Sequence, residues 1–181
     1  MQNNSGQEMV LAIDPGFDRV GVAILIREEI NPTSLKLRGA REKLLFSKCI
    51  ETNRKESQAE RLKQIGQEIK KVIKKWKPET LAIEKLFFNQ NTTSAIRVAE
   101  ARGVIIYEAV CACLEIHEYS PQEIKLAVTG YGKAAKTEVQ NMAMKLLRLS
   151  IKSKYDDEAD AIALGLTHLA SYKQKRRLST D

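Results

Sequence analysis

Apolar residues alternate with polar ones, or form short unbroken runs, in several segments bounded by turn residues, and this pattern predicts β-strands. Five strands are predicted, two within 9–26 and the others at 44–52, 81–86 and 117–119. The first two flank the sequence Asp14-Pro15-Gly16, so a short hairpin connects them. Residues 27–43 are charged and contain Asn31-Pro32, which predicts a long loop or hairpin extension before the third strand.

In other segments the apolar residues recur at spacings of three and four, as they do on one face of a helix. Helices are predicted at 60–76, at 92–115, from the start signal Ser120-Pro121-Gln122-Glu123, at 137–147 and at 157–172. The chain has no Gly-rich phosphate loop, and its order of elements fits no doubly wound nucleotide fold. We predict one α/β domain over 1–172, followed by a basic C-terminal tail at 173–181.

Composition limits the class of binding partner and the cellular compartment that the protein suits. Thirty lysines and arginines face 23 acids, and the net charge of +7 suits a polyanionic partner without identifying one. Cysteines at 49, 111 and 113 suggest neither a disulfide framework nor a zinc site. No apolar run approaches the roughly 18–20 residues of a membrane span. We therefore expect a soluble cytoplasmic protein that does not bind membranes.

Carboxylates occur at positions where a fold alone does not need them. Asp14 ends a strand, Glu84 interrupts the apolar run LAIEKL, and Asp157 and Asp160 share one helix face because they lie three residues apart. Asp14 is also a good turn residue, Glu84 fits an exposed edge strand, and Asp157 fits a first-turn acid that offsets the helix dipole. That last alternative explains Asp160 poorly, because its small neighbours indicate a helix whose acidic face approaches a sheet closely.

Four carboxylates in a chain with two histidines favour a hard, oxygen-seeking cation. Magnesium or manganese prefers carboxylate and water ligands, whereas zinc prefers nitrogen and sulfur. Two such ions about 4 Å apart would activate a water and stabilise the leaving oxygen of a phosphodiester displacement. A passive DNA-binding module would gain nothing from acids that repel phosphate. The pattern therefore favours an enzyme over a binding module.

Five motifs together resemble one known family, the RuvC family of Holliday-junction resolvases. The motifs are IDPG at 13–16, IEKLFFNQN at 83–91, AEARGV at 99–104, VTGYGKAAKTEVQ at 128–140 and DDEADAIALGLTH at 156–168. The likeness covers about 9–172 and implies a ribonuclease H-like fold with a central mixed five-stranded sheet flanked by helices. It also implies a homodimer that makes paired symmetric nicks in four-way DNA junctions, for homologous recombination and DNA repair. Two Mg²⁺ ions per site, for which Mn²⁺ can substitute, and a branch-migration helicase complex as partner are further expectations.

The resemblance also implies roles for individual acids and aromatics. It makes four residues the catalytic and metal-binding set: Asp14, Glu84, Asp157 and Asp160. Phe87 matches an aromatic that disturbs base stacking near the junction centre. From burial tendencies alone Phe87 and Phe88 would both be core residues, and Phe88 remains a core candidate.

Basic residues and a small-residue helix face complete the expected DNA and dimer contacts. Lys125 and Lys136 match basic positions that hold the scissile phosphate or stabilise its developing charge, and Lys133 joins them without such a match. The resemblance assigns the helix at 92–115 to the dimer contact, and we predict a seam along Ala95, Ala99 and Gly103.

Three further expectations and alternatives depend on the same residues. The extension at 27–43 is longer than is usual in the family, and Arg38, Arg41 and Lys43 within it could contact junction arms or nothing. One alternative function is a ribonuclease H-like nuclease for RNA/DNA hybrids or structured RNA, which the stacking aromatic and the dimer argue against. Another is a non-catalytic junction-binding protein, which the complete set of four acids argues against.

Overall fold

A mixed sheet of five strands in the order β3-β2-β1-β4-β5 forms the centre of the protein. The computed structural model describes residues 8–29, 40–86, 92–149 and 155–178. The strands are β1 Glu8–Asp14, β2 Arg19–Glu29, β3 Ala40–Glu51, β4 Thr80–Glu84 and β5 Glu115–Tyr119. β1, β2 and β3 are antiparallel neighbours, whereas β1, β4 and β5 run parallel. The predicted mixed five-stranded sheet is confirmed.

Five helices cover the two faces of this sheet in the described ranges. They are α1 Gln58–Trp76, α2 Thr92–Cys111, α3 Pro121–Thr129, α4 Lys136–Leu146 and α5 Asp156–Leu178. The predicted start signal of α3 is confirmed, because Ser120 and Glu123 form a reciprocal capping box. Within the described part of the chain, no helix combines the length and the apolar character that crossing a membrane requires.

The charged end of the β2–β3 hairpin is strand rather than loop. Arg27 donates to the Glu42 carboxylate at 2.7 Å, and Lys43 Nζ lies 3.6 Å from Glu28 Oε1. These cross-strand pairs replace the apolar alternation by which a strand is recognised in a sequence. The predicted start of β3 at residue 44 is therefore wrong, since the strand begins at Ala40. For the described residues 27–29 and 40–43, the hairpin extension is the correct alternative.

Two helix ends also differ from the prediction. α2 ends at Cys111 instead of continuing to 115, because Cys113 has a φ of 60° and turns the chain into β5. A positive φ is incompatible with a continuing right-handed helix. The last helix continues past Tyr172 to Leu178, so the helical backbone includes most of the predicted tail.

The strand alternation assigns the sheet's two faces to different helices. Val10 and Ala12 pack in one core with α3, α4 and α5, whereas Leu11 and Ile13 pack in another core with α1 and α2. Asp14 continues the first series, because residues at even spacing along a strand share a face. β1 therefore directs its terminal carboxylate toward the α5 side of the sheet.

α5 approaches the sheet so closely that two glycines are required at the contact. A Cβ at Gly21 would lie 1.8 Å from the Asp157 carbonyl oxygen, and a Cβ at Gly165 would lie 2.3 Å from Leu25 Cδ1. Side chains of Ala159, Ala161 and Ala163 in the same helix are buried. The small-residue pattern around Asp160 is thus explained by direct seating of α5 on β1 and β2.

Gly21→Ala is expected to lower the thermal midpoint, because the added methyl forces the first turn of α5 away from β2. Overpacking of this kind costs about 1–3 kcal/mol. Gly132→Ala is the matched control, since its Cβ would meet the flexible Gln122 side chain at 3.3 Å. Thermal melts of both variants check this, and equal midpoints would show that α5 does not rest on Gly21.

Candidate active site

The carboxyl ends of two parallel strands place a pair of acids side by side. Ile13 of β1 pairs in register with Ile83 of β4, so Asp14 and Glu84 come next to each other at the sheet edge. α5 crosses above this point and contributes Asp160, which lines the same cavity of about 410 Å³. Lys125 of α3 lines it as well. The sheet and α5 therefore bring predicted acids from three distant segments to one cavity.

Burial and mutual repulsion shift the protonation of this group. Desolvation raises the pKa of Asp14 to about 8, and the charges of Glu84, Asp160 and Asp157 add to the effect. Burial, followed by the charge of Asp160, also raises the pKa of Glu84. The other three predicted acids thus lie within electrostatic range of Asp14, and their mutual repulsion favours the uptake of a proton or a cation.

Two residues of α4 hold the carboxylate of Asp160. Lys136 Nζ lies 2.6 Å from Asp160 Oδ2, and Gln140 Nε2 donates to Asp160 Oδ1 at 3.0 Å. Partial burial lowers the pKa of Lys136, but the hydrogen bond and charge of Asp160 outweigh it and raise that pKa overall. The structure thus places Lys136 beside the predicted acids. Gln140 escaped the sequence analysis, although its position four residues after Lys136 puts both on one helix face.

Asp157 reaches the acidic group from the β2 side instead of lining the cavity. Its Oδ2 lies 3.1 Å from Nε of Arg19, so the two form an ion pair. The N–H of Arg19 is not aligned with that oxygen, however, and among the described residues this buried Oδ2 has no hydrogen-bond partner. We regard the contact as an attraction between charges without a formed hydrogen bond. Arg19 is a second residue that the sequence analysis missed.

The remaining predicted site residues fall in different places. Lys125 lines the cavity, whereas Lys133 is exposed on the α3–α4 turn and is not one of the lining residues. Phe87, Phe88 and Arg38 lie outside the described residues. The roles predicted for these three residues therefore stay predictions.

Arg102 of α2 contacts the end of β4 and the neighbouring strand β5. Its Nε donates to the Glu84 carbonyl oxygen at 3.2 Å, and its guanidinium pairs with Glu118 of β5. The side chain is mostly buried, at 16% exposure. Arg102 thus ties α2 to the strand end that bears Glu84, a contact that sequence spacing could not indicate.

The donor set fits a divalent cation of the hard type. Every candidate ligand is a carboxylate, and Asp157 offers a buried oxygen without a hydrogen-bond partner in the described part of the chain. In those same ranges no three acidic, histidine or cysteine side chains form a ready-made metal cluster. Asp160 and Asp157 are instead occupied by Lys136 and Arg19. A metal ion would therefore replace two side-chain cations.

Comparisons with known proteins agree across almost the whole chain. The family model described as crossover junction endodeoxyribonuclease RuvC matches residues 10–168. A crossover junction endodeoxyribonuclease RuvC of Halothermothrix orenii is 38% identical over 172 residues, covering 95% of this chain and 98% of that protein. Another from Finegoldia magna is 40% identical over 166 residues, covering 92% and 95%.

Solved structures show the same fold. The Thermus thermophilus RuvC structure superposes with a TM-score of 0.81 at 29% identity, covering 92% of this chain and 96% of that one. The structure of T. thermophilus RuvC in complex with Holliday junction substrate gives a TM-score of 0.79 at 26% identity with the same coverage. The predicted ribonuclease H-like architecture is therefore confirmed, and the matched region contains every one of the four acids.

Proposed function

Because this chain belongs to the RuvC family of crossover junction endodeoxyribonucleases, we propose that it resolves four-way DNA junctions by metal-dependent phosphodiester hydrolysis. The family prediction made from the motifs is confirmed, and with it the general function of a Holliday-junction resolvase. The observation that carries the mechanism is the convergence of acids from β1, β4 and α5 beside a cavity with two lysines. On the family likeness we also propose a branch-migration helicase complex as its partner in the cytoplasm.

We propose Mg²⁺ as the cofactor, with two ions per site and Mn²⁺ as a substitute. The ligands would be the four carboxylates: Asp14, Glu84, Asp157 and Asp160. When bound, such ions supply the positive charge that activates a water and stabilises the leaving oxygen. Asp14 and Glu84 lie on paired strands and would hold the metal in a fixed position, whereas Asp157 and Asp160 would exchange their present partners Arg19 and Lys136 for it.

The basic residues of the cavity position the DNA. Lys125 and Lys136 stand on the α3–α4 wall, where a scissile phosphate would meet both ammonium groups. We propose that they hold this phosphate and offset its developing charge. Lys133, exposed on the adjacent turn, would contact the backbone farther out. Phe87 follows Glu84 by three residues, and we propose that it disturbs stacking near the junction centre.

Lys136→Gln is expected to slow junction cleavage by about 100-fold or more, because it removes a positive charge proposed to stabilise the scissile phosphate. Junction affinity should fall only slightly, since one of several phosphate contacts is lost. Lys133→Gln is the control and should slow cleavage far less. Single-turnover cleavage and binding measured on one junction separate the two effects, and equal rates for both variants would remove Lys136 from the site.

A stripe of exposed apolar residues on α2 supports a homodimer. Ile96, Tyr107 and Val110 are 57%, 65% and 57% exposed, and a Cβ added at Gly103 between them would meet no atom of the described residues within 4 Å. Spacings of seven, four and three residues put these positions on one helix face. Ala99, by contrast, is half-buried within the chain. We propose the dimer seam along this α2 stripe, shifted from the predicted line but sharing Gly103.

Substrate choice tests the proposed function directly. A synthetic four-way junction, a linear duplex and an RNA/DNA hybrid of matched sequence are incubated with the protein in Mg²⁺, and the products are mapped. We expect cuts at symmetric positions in two opposed strands of the junction only. Cleavage of the hybrid would favour a ribonuclease H activity, and binding without any cleavage would indicate a non-catalytic junction protein.

A further inference from the structure

Arg19 stands beside the acidic group without a part in the mechanism described above. It opens β2 just after the turn that begins at Asp14, and its Nε lies 3.1 Å from Asp157 Oδ2. Its guanidinium also lies 5.8 Å from the ring centroid of Tyr155. The Tyr155 hydroxyl donates to Glu51 at 2.7 Å, which fixes the ring. Asp157 and the Tyr155 ring thus hold the Arg19 side chain in place, although 47% of that side chain is exposed.

This position mirrors that of Lys136 on the other side of the acids. Lys136 neutralises Asp160 from α4, and Arg19 neutralises Asp157 from β2. Lys136 lines one cavity with Glu84 of β4, and the sheet order puts β2 and β4 on opposite sides of β1. Two cations therefore flank the strand that ends at Asp14, where a phosphate backbone would be held from both sides.

The Arg19–Asp157 ion pair is weak enough for each residue to exchange its partner. The Arg19 side chain is about half-exposed and the contact lacks hydrogen-bond alignment, and ion pairs with an exposed partner contribute little to stability. A divalent ion on Asp157 would both claim the carboxylate and repel the guanidinium. A released arginine has a planar fork of donors that matches phosphate oxygens, so a DNA backbone is its natural next partner.

We propose that Arg19 is a conditional DNA-backbone contact. Asp157 holds its guanidinium in the free protein, and a phosphate on the β2 side of the scissile bond receives it once Asp157 binds metal. The inference rests on the proposed function, because it requires that junction DNA lies over these acids. Arg19 would then contact a DNA phosphate only when Asp157 has bound a metal ion.

A double-mutant cycle without metal tests this exchange. Junction binding is measured by fluorescence anisotropy in EDTA over a range of NaCl concentrations, for the parent, Arg19→Gln, Asp157→Asn and the double variant. In the Asp157→Asn background Arg19 is already free, so Arg19→Gln should reduce the slope of log affinity against log salt by about one. In the parent background the same change should leave the slope unaltered. Adding Ca²⁺ to the parent should make the Arg19→Gln effect appear.

The same salt-dependent binding measurements include a control variant and define the outcomes that would contradict the proposal. Arg54 is also exposed and paired, with Asp18 at 2.8 Å, so Arg54→Gln should act equally in both backgrounds. An equal loss from Arg19→Gln in both backgrounds would overturn the exchange, as would no loss in either. Asp157→Ser replaces Asp157→Asn if thermal melts show that the latter is unfolded. A parent that binds linear duplex as tightly as the junction would instead contradict the proposed function.

Discussion

Asp14→Asn is expected to abolish junction cleavage while junction binding survives or becomes tighter. The side chain keeps its shape but loses the negative charge with which it would hold a metal ion, and the fall in rate should be on the order of a thousandfold or more. Binding is spared because the lost acid repels phosphate rather than attracting it. Asp156→Asn is the matched control. Because Asp156 is exposed at the start of α5, this variant should cleave junctions at the normal rate.

The same substitution should stabilise the metal-free protein at neutral and alkaline pH. The pKa of Asp14 rises from 3.8 to about 8 on folding, so between these values the folded chain binds a proton that the unfolded chain has lost. Stability contributed by this site therefore falls as the pH rises from about 4 to 8. Asp14→Asn removes that loss, because an amide does not ionise.

Thermal melts in EDTA at pH 4 and pH 8 check the stability effect, and cleavage assays in Mg²⁺ check the catalytic one. The variant's midpoint should exceed the parent's clearly at pH 8 and approach it at pH 4. Near-normal cleavage by Asp14→Asn would remove Asp14 from the mechanism. A pH-independent difference in midpoint would show that the carboxylate is not the buried, repelled group described above.

Tyr107→Glu is expected to convert the proposed dimer to monomers that leave singly nicked product. The residue is 65% exposed in the single chain, so a charge there should not disturb the fold of one subunit. In the proposed seam two copies of the glutamate would be buried near each other, and burying unpaired charge costs several kcal/mol. One active site per subunit then allows only one strand to be cut at a time.

Sedimentation at micromolar concentration and the products from a supercoiled cruciform plasmid measure this outcome. The parent should sediment as a dimer and linearise the plasmid, whereas Tyr107→Glu should sediment as a monomer and give nicked circles. Leu126→Glu is the control for sedimentation, because Leu126 is 56% exposed on α3, away from the stripe. A parent that remains monomeric on the junction yet linearises the plasmid would overturn the dimer proposal.

Glu84 and Asp160 were accessible to sequence reasoning because each contradicts its local pattern, whereas Asp14 and Asp157 also depended on the family motifs. Glu84 interrupts a buried strand, and Asp157 with Asp160 repeats at helical spacing among small residues. Arg19 and Gln140 offer no such contradiction, because a polar residue at a strand start or on a helix surface is ordinary. Their contacts with Asp157 and Asp160 exist only after β2, α4 and α5 have packed together.

The same limit explains the errors in the fold. Strand recognition relies on apolar alternation, and the outer part of the β2–β3 hairpin is instead held by pairs such as Arg27–Glu42. Helix recognition relies on apolar periodicity, which continues through Ala112 although the backbone reverses at Cys113. Charge pairing between strands depends on residues that are distant in sequence. Reversal of the backbone at Cys113 depends on its conformation. A pattern of residue types along the chain indicates neither of them.

The seating of α5 on Gly21 has a consequence for how this enzyme can change over time. Backbone meets backbone there, with the Asp157 carbonyl oxygen where a Cβ would be. The separation between the helix acids and the strand acids is therefore set by main-chain contact instead of by the shapes of core side chains. Much of the interior can change in sequence while the spacing between these acids stays constant, but a single added carbon at Gly21 would alter it.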